Sequence, residues 1–299
     1  MNTVVAENIS KSFNSFRAVD SVSLAIRPGS VFGLLGPNGA GKTTTMRMIV
    51  NIILPDSGSI HLFGEPFREE HKNRIGYLPE ERGLYPKMKV IDHLQFLGEM
   101  KGIEPGEAQK QALQWLERFE LADRAQKKVQ ELSKGLQQKV QFIATIIHAP
   151  ELLIVDEPFS GLDPLNTKFL KDILLGLKQA GKTIILSTHL MEQAEKLCDE
   201  ICLINKGKAV LQGNLREIKR RYGHNMVNVE YSGNAEFLRG LPPVKSINDY
   251  GNSMEIRLHD GAAPGELFKL LAAGNLEVRR FETAETPLNE IFIDVVEKS

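Results

Sequence analysis

Val31-Phe32-Gly33-Leu34-Leu35 runs straight into Gly36-Pro37-Asn38-Gly39-Ala40-Gly41-Lys42-Thr43, and a helical stretch, Thr43 to Asn51, follows. The first five residues form a short continuous apolar run, which suits a strand buried on both faces. The next eight match G-x-x-x-x-G-K-[ST], a loop whose glycines let backbone N–H groups turn inward around a polyphosphate. The helix that begins at Thr43 adds its positive end. In this reading Lys42 reaches the β- and γ-phosphates, the Thr43 hydroxyl binds Mg²⁺, and Thr44 belongs to the same nucleotide-binding set. A chance glycine turn ending in lysine arises in on the order of one chain in a hundred of this length. The flanking strand and helix weigh against that reading.

Outward from this unit, Val4 to Phe13 and Val19 to Ile26 read as an antiparallel pair across the polar turn Asn14 to Arg17. Leu152 to Val155 and Thr183 to Ser187 read as further buried strands, with a helix at Leu165 to Gln179 closed by Gly181. Strand-helix-strand repetition predicts an α/β fold with a largely parallel sheet. About residues 90–130 read as a helical insert, with Leu94, Leu97, Leu113, Leu116 and Phe119 at helical spacing. Ile201 to Ile204 and Lys208 to Leu211 form an expected hairpin turning at Asn205 to Gly207. The polar stretch Gly213 to Gly223, with four basic residues, marks a domain boundary. We therefore expect a nucleotide-binding domain over 1–213, a linker over 214–223 and an α+β domain over 224–299. The last reads as strand (Met226 to Tyr231), short helix (Ala235 to Leu241), strands (Val244 to Asp249, Met254 to Leu258), helix (Gly265 to Ala273) and strand (Leu276 to Phe281). That is the βαββαβ order of a ferredoxin-like unit, with a last helix at Pro287 to Val296.

Composition narrows the function classes. With 299 residues, 42% hydrophobic and 25% charged, the chain is an ordinary globular mix rather than a disordered or collagen-like one. Its 37 Lys+Arg nearly cancel 38 Asp+Glu, so no general attraction to nucleic acid or anionic lipid is expected. No apolar run approaches the ~20 residues of a membrane span, and Met1 to Ser10 lacks the pattern of a signal peptide, so a cytoplasmic chain is expected. Cys198 and Cys202 cannot make a disulfide framework, and with no second ligand pair nearby they read as two buried thiols.

A phosphate loop of this kind needs a second carboxylate for Mg²⁺ at the end of a buried strand. Leu152-Leu153-Ile154-Val155-Asp156 supplies it, and Glu157 follows at once. A carboxylate beside the metal aspartate can orient and deprotonate the water that attacks the γ-phosphate. Alone, the pair also reads as a solvated acidic strand end, and the upstream loop favours the catalytic reading.

Leu132-Ser133-Lys134-Gly135-Leu136-Gln137-Gln138 resembles the signature loop of ATP-binding cassette (ABC) ATPases, usually written L-S-G-G-Q, just upstream of the Asp156 strand. Ser160-Gly161-Leu162-Asp163 resembles that family's D-loop, and His189 resembles its switch histidine. The resemblance covers Met1 to about Gly213. The remainder resembles the accessory domain on ATPase subunits of ABC type-2 exporters, including sodium-extrusion systems. It implies a P-loop cassette with a mainly parallel core, an antiparallel N-terminal β subdomain and a helical insert, binding ATP and Mg²⁺. It implies that His189 senses the γ-phosphate, although Ser-Thr-His also reads as helix capping. It implies that Phe13 stacks on adenine, where an ordinary core aromatic is the alternative. Asp163 joins the nucleotide set through the D-loop.

Three positions depart from the family pattern. In Ile75-Gly76-Tyr77-Leu78-Pro79-Glu80, Glu80 stands where the family usually has a Gln that contacts Mg²⁺ and water. A carboxylate there can still coordinate the metal but adds negative charge beside the γ-phosphate. Lys134 replaces the first signature Gly and Leu136 the Gln, leaving Ser133 to meet the γ-phosphate and Gly135 to allow close backbone approach. With one cassette per chain, the resemblance implies a head-to-tail dimer, with itself or a related subunit, and ATP between the P-loop of one and Ser133 of the other. It further implies a multi-span membrane permease docking on the helical insert and the loop around Tyr77 to Tyr85. That places the chain on the inner face of the cell membrane. The alternative is a soluble ABC ATPase acting on nucleic acid or ribosomes. The chain has none of the basic surplus, long coiled-coil insert or second fused cassette of those relatives, so no nucleic-acid partner is expected.

Overall fold

The structure, a computed structural model, describes residues 1–297 apart from Arg82, residues 223–225, Asp260 and Asn275. Two compact units divide between Gly213 and Asn214. The first opens with β1 (Val4–Phe13) and β2 (Phe16–Ile26), paired antiparallel from Val4↔Ile26 to Phe13↔Phe16. The turn between them is shorter than the expected Asn14 to Arg17, because Asn14 takes a left-handed φ of 53° and lets the strands close over two residues. Then follow β3 (Val31–Leu35), α1 (Lys42–Ile49), β4 (Ser57–Leu62), β5 (Glu65–Pro66) and β6 (Ile75–Leu78). The helical region comprises α2 (Val90–Met100), α3 (Pro105–Arg118) and α4 (Lys134–Ile146). The unit ends with β7 (Leu152–Asp156), α5 (Pro164–Gln179), β8 (Thr183–Thr188), α6 (Met191–Leu197), β9 (Glu200–Asn205) and β10 (Lys208–Asn214).

One sheet has the order β10-β9-β3-β8-β7-β6 and the other β2-β1-β4-β5. In the first, β6, β7, β8, β3 and β9 run parallel to one another. Every residue of β3, β7 and β8 is buried, as unbroken apolar runs demand of strands covered on both faces. Parallel strands share a carboxyl edge, so the loops after β3, β6, β7 and β8 open on the same side. Phe32, Leu34, Met46, Ile49, Ile154 and Ile185 join this sheet to α1 and the antiparallel sheet in one core.

The helical region departs from the expectation in extent and in face. It continues past residue 130 into α4, whose Phe142 packs on Phe119 with centroids 6.0 Å apart. On α3 the buried stripe is Ala108, Ala112 and Leu116, while Leu113 is exposed. Small alanines let α3 lie close to its neighbours, and a search for large apolar residues passes over them.

Burial here has a pH consequence. His93 on α2 is fully buried against the Tyr85 ring, centroids 5.6 Å apart, and its ring nitrogens have no hydrogen-bond partner among the described residues. Burial pushes its pKa down to about 4. Burial, and then repulsion from Lys101, does the same to His148, again to about 4. Both are neutral in the native state at pH 7, whereas an unfolded chain protonates them near their ordinary 6.5. Stability is thus undiminished above pH 6.5 and falls as pH drops toward 4, by about 1 kcal/mol per pH unit for each histidine. Urea unfolding at pH 7.5 and 5.0 should show this loss, and His93→Leu should remove about half of it. Equal midpoints at the two pH values for the native chain would contradict the argument.

The second unit begins with a helix where a linker was expected. Leu215 and Ile218 of α7 (Leu215–Tyr222) are buried, Arg216, Arg220 and Arg221 are exposed, and Asn214 caps the helix by accepting from the Glu217 N–H at 3.2 Å. Basic composition suggested a linker, but two apolar residues at i, i+3 and an Asn cap suffice for a helix against a core. Gly223, the end of the expected linker, lies outside the described residues. Next come β11 (Met226–Ser232), β12 (Val244–Asp249), β13 (Ser253–Leu258), α8 (Pro264–Ala273), β14 (Glu277–Ala284) and α9 (Leu288–Glu297). The sheet order β12-β13-β11-β14, antiparallel throughout, is that of a split βαββαβ unit. The expected helix Ala235 to Leu241 is only a 3₁₀ turn, Glu236–Gly240, because Gly240 and the following Pro242-Pro243 leave no room for an α-helical turn to propagate. Arg257, largely buried, pairs with Glu290 and Asp294 and ties α9 to the sheet.

Candidate nucleotide site

The phosphate loop depends on three glycines at positive φ: Gly36 (147°), Gly39 (77°) and Gly41 (109°). Gly41 is the N-cap of α1, so the helix starts at Lys42. Two of the three also lack room for a side chain. A Cβ on Gly36 would lie 2.2 Å from the Ile204 carbonyl oxygen, and one on Gly41 2.4 Å from that of Ala18. Lys42 is 6% exposed, and its ammonium donates to the carbonyls of Gly36 at 2.8 Å and Pro37 at 3.1 Å. The cation is thereby held across the mouth of the loop, at the positive end of α1.

The parallel sheet brings the sequence-predicted carboxylates to this loop. Thr43 Oγ1 donates to Asp156 Oδ2 at 2.8 Å, and Ser187 Oγ donates to Asp156 Oδ1. Glu157 Oε1 lies 3.6 Å from Lys42 Nζ and 3.0 Å from His189 Nδ1. The first contact is beyond hydrogen-bond distance and the second lacks hydrogen-bond geometry, so this buried oxygen has ion-pair neighbours but no hydrogen-bond partner among the described residues. Glu157 has φ 46°, an uncommon conformation for a residue with a side chain, held by Glu157 N–H to Ser187 O at 3.1 Å and Ser160 N–H to Glu157 O at 3.1 Å. His189 does not cap α6. That helix starts at Met191, and Thr188 Oγ1 accepts from the Leu190 N–H at 3.0 Å.

Lys42, Thr43, Asp156, Glu157 and His189 thus converge. Four predicted residues do not reach them: among the described residues no hydrogen bond or ion pair links Phe13, Ser133, Gly135 or Asp163 to this cluster. Phe13 ends β1, is 45% exposed and has Lys11 Nζ 5.9 Å from its ring centroid, which removes the core-aromatic reading. Ser133 is the exposed N-cap of α4 and its hydroxyl makes no capping bond. Among the described residues a Cβ on Gly135 would meet nothing within 4 Å, so none of them requires glycine there. Asp163 caps α5, accepting from Asn166 N–H at 2.9 Å, and these bonds hold its carboxyl below the usual range. Glu80 is exposed after β6.

Sequence reasoning passed over two kinds of residue. Ser187 was read as the end of a strand and within the Ser-Thr-His capping pattern, with no link to Asp156. Gln138 and Gln141 on α4 hold the neighbouring loops: Gln138 Nε2 donates to Pro158 O at 3.0 Å, and Gln141 Nε2 donates to Glu81 O at 3.0 Å and Pro79 O at 3.3 Å. A polar face one turn into a half-buried helix was the available signal. Beside these loops, a cleft of about 610 Å³ between β6, α2 and α4 is lined by residues including Arg47, Ile52, Tyr77, Leu97, Met100 and Lys101.

A glycine cradle, a buried lysine and a strand-end carboxylate at the carboxyl edge of a parallel sheet define a nucleotide-binding ATPase cassette. The comparisons narrow this class. Residues 19–160 match the ABC transporter family, and residues 213–296 match the C-terminal domain of DrrA1-3-like ATP-binding proteins. The chain is 46% identical over 290 residues to YhaQ, an uncharacterized ABC transporter ATP-binding protein of Bacillus subtilis, covering 97% of each. It is 34% identical to the linearmycin resistance ATP-binding protein LnrL of the same organism, again over 97% of each chain. It is 38% identical, over 78% of each, to the Nod factor export ATP-binding protein I of Cupriavidus metallidurans. Among solved structures, an ATP-binding subunit of an ABC transporter superposes with a TM-score of 0.69 at 29% identity, covering 74% of this chain and 93% of that one. The chain belongs to the ABC transporter ATP-binding proteins, and it is the ATP-binding subunit of such a transporter.

Proposed function

We propose that this chain hydrolyses ATP as a head-to-tail dimer and thereby drives export through a separate membrane subunit. The convergence of Lys42, Thr43, Asp156, Glu157 and His189 carries the reading. In the proposed reaction, N–H groups of Gly36 to Thr43 wrap the phosphates, and Lys42 turns from the loop carbonyls to the β- and γ-oxygens. Thr43 and Asp156 offer hard oxygen donors 2.8 Å apart, and no cluster of three or more metal-binding side chains occurs among the described residues. That suits Mg²⁺, which binds through one or two protein oxygens plus phosphate and water. Bound there, with Glu80 near it, Mg²⁺ would neutralise charge on the phosphates. Glu157 takes a proton from the attacking water, and an Oε1 without a hydrogen-bond partner among the described residues supports that role. His189 is placed to donate to the γ-phosphate once it turns from Glu157.

Phe13, Ser133, Gly135 and Asp163 stand apart from this cluster, which supports the dimeric reading, in which adenine stacks on Phe13 and the signature and D-loops meet the nucleotide of the other copy. Lys134 opens α4, where the helix dipole disfavours a cation, and an ATP phosphate would relieve that. Gly135→Ala tests this. Alanine at this open helical site should leave the isolated chain as stable or up to about 1 kcal/mol more stable. ATP turnover, which should rise with chain concentration as dimers form, should fall at least tenfold. Unchanged turnover in a stable G135A chain would argue against a signature loop closing on nucleotide.

No helix of the described residues is long and apolar enough to cross a membrane, and the 610 Å³ cleft, with Ile52 and Met100 exposed beside Leu97, offers an apolar seat for a segment of a membrane subunit. Export is favoured because relatives at 34% and 38% identity are named for resistance and for Nod factor export. The nucleic-acid alternative draws no support from the charge balance of -1. Turnover by the purified chain, stimulated by its membrane subunit in liposomes, tests the proposal.

A further inference from the structure

We propose that Ser187 is a positioning residue of this site, holding the Asp156 carboxylate in the orientation that receives Mg²⁺. The parallel pairing of β7 with β8 sets Asp156 beside Ser187 in register. Ser187 is fully buried and follows Ile184, Ile185 and Leu186, at the point where β8 passes from its apolar run to its carboxyl end. That hydroxyl donates to Asp156 Oδ1, while Thr43 donates to Oδ2. With each oxygen held by a separate donor, the carboxylate plane cannot rotate, and the ordering cost of a metal ligand is met before the metal arrives. The Ser187 carbonyl also accepts the N–H of Glu157, the residue held at φ 46°. One residue therefore fixes the metal carboxylate through its side chain and the general base through its backbone. Two positions along, His189 reaches the Glu157 side chain at 3.0 Å. The sequence offers this serine only as a strand end and as part of a Ser-Thr-His capping pattern, because its role toward Asp156 exists only once β8 lies against β7.

The inference rests on the reading of Asp156 as the magnesium carboxylate, and the experiment separates the two. Mn²⁺ is titrated into the full chain holding one equivalent of ADP, and free Mn²⁺ is read by electron paramagnetic resonance. Loss of an outer-shell hydrogen bond to a metal ligand weakens binding about 10–100-fold. Ser187→Ala should therefore raise the Mn²⁺ Kd at least tenfold, with ADP affinity in the absence of metal unchanged. Ser187→Thr keeps the donor and should restore the wild-type value, and Ser187→Cys, a weaker donor, should fall between. Ile185→Val, a buried change on the same strand, controls for lost stability and should leave the Kd within twofold. An S187A Kd equal to that of the wild type or of I185V overturns the role of the hydroxyl. If S187A does not fold, equal affinities for the Cys and Thr chains overturn it equally. If Asp156→Asn leaves Mn²⁺ binding unchanged, the magnesium assignment itself fails. If only D156N weakens binding, that assignment stands and the Ser187 inference falls.

Discussion

Glu157→Gln is expected to cut ATP turnover by about 10²–10⁴-fold, the usual contribution of a positioned general base. Glutamine has the size and planarity of glutamate, so the backbone at φ 46° and its bonds to Ser187 and Ser160 can persist. What is lost is a basic oxygen, Oε1, that has no hydrogen-bond partner among the described residues and so can accept a proton. The change also removes a negative charge 3.6 Å from Lys42 Nζ, inside a site where Glu157 is 8% exposed. The γ-phosphate gains from that removal, because repulsion between the carboxylate and the phosphate disappears, and Lys42 is left to pair with the phosphate alone. Nucleotide affinity should accordingly hold or increase, and the ATP-bound dimer should accumulate because hydrolysis no longer opens it. Single-turnover kinetics gives the first quantity, and size-exclusion chromatography with Mg²⁺-ATP the second. Turnover within threefold of wild type would remove Glu157 from the role of base and leave the site as a binding module.

Gly36→Ala is expected to abolish nucleotide binding, with at least a hundredfold rise in the Kd for ADP, and to destabilise the chain by about 3 kcal/mol or more. Two costs coincide at this position. The φ of 147° lies where side chains are rarely tolerated, and the new Cβ would stand 2.2 Å from the Ile204 carbonyl oxygen, a backbone atom of β9 that cannot swing aside. Relief requires the loop to move outward, and that movement takes the Gly36 carbonyl away from Lys42 Nζ. Gly39→Ala isolates the first cost from the second. Its φ is 77°, yet nothing lies within 4 Å of a Cβ there, so a loss of only about 1–2 kcal/mol is expected. Urea unfolding and fluorescent-nucleotide titration of the two variants measure both effects. Equal stability losses for the two would show that the Ile204 contact does not constrain the loop.

The candidate site was legible because its residues lie in contiguous stretches. Gly36 to Thr43 is at once a turn specification and a proposed phosphate site, and Leu152 to Glu157 is at once a buried strand and its acidic terminus. Local steric and apolar rules set both, so residue order carried them without knowledge of partners. The strands of the second unit were legible for the same reason, through alternation and turn residues. Elements with weak local signals were read wrongly. The segment after Gly213 looked like a linker because its four basic residues outnumber the Leu215 and Ile218 that make it a helix. Of the residues named at helical spacing near α3, Leu116 and Phe119 are buried but Leu113 is exposed, and the rest of the buried stripe falls on Ala108 and Ala112, whose small size matters only against a neighbouring helix.

The sequence by itself determined that this chain builds a phosphate loop, a carboxylate at the end of a buried strand and a parallel sheet to carry both. It could name Asp156 and Glu157 because each follows an apolar run that has only one way to lie. Only the tertiary structure decided how those carboxylates are held. Ser187 reaches Asp156 from 31 residues away, Gln141 reaches Glu81 from 60, and Gly36 needs its missing side chain because of a carbonyl on β9. Such contacts arise from strand order and register, which bring together residues that share no local pattern. Hydrogen-bond donors and close backbone approaches act over about 3 Å in space and leave no period along the chain.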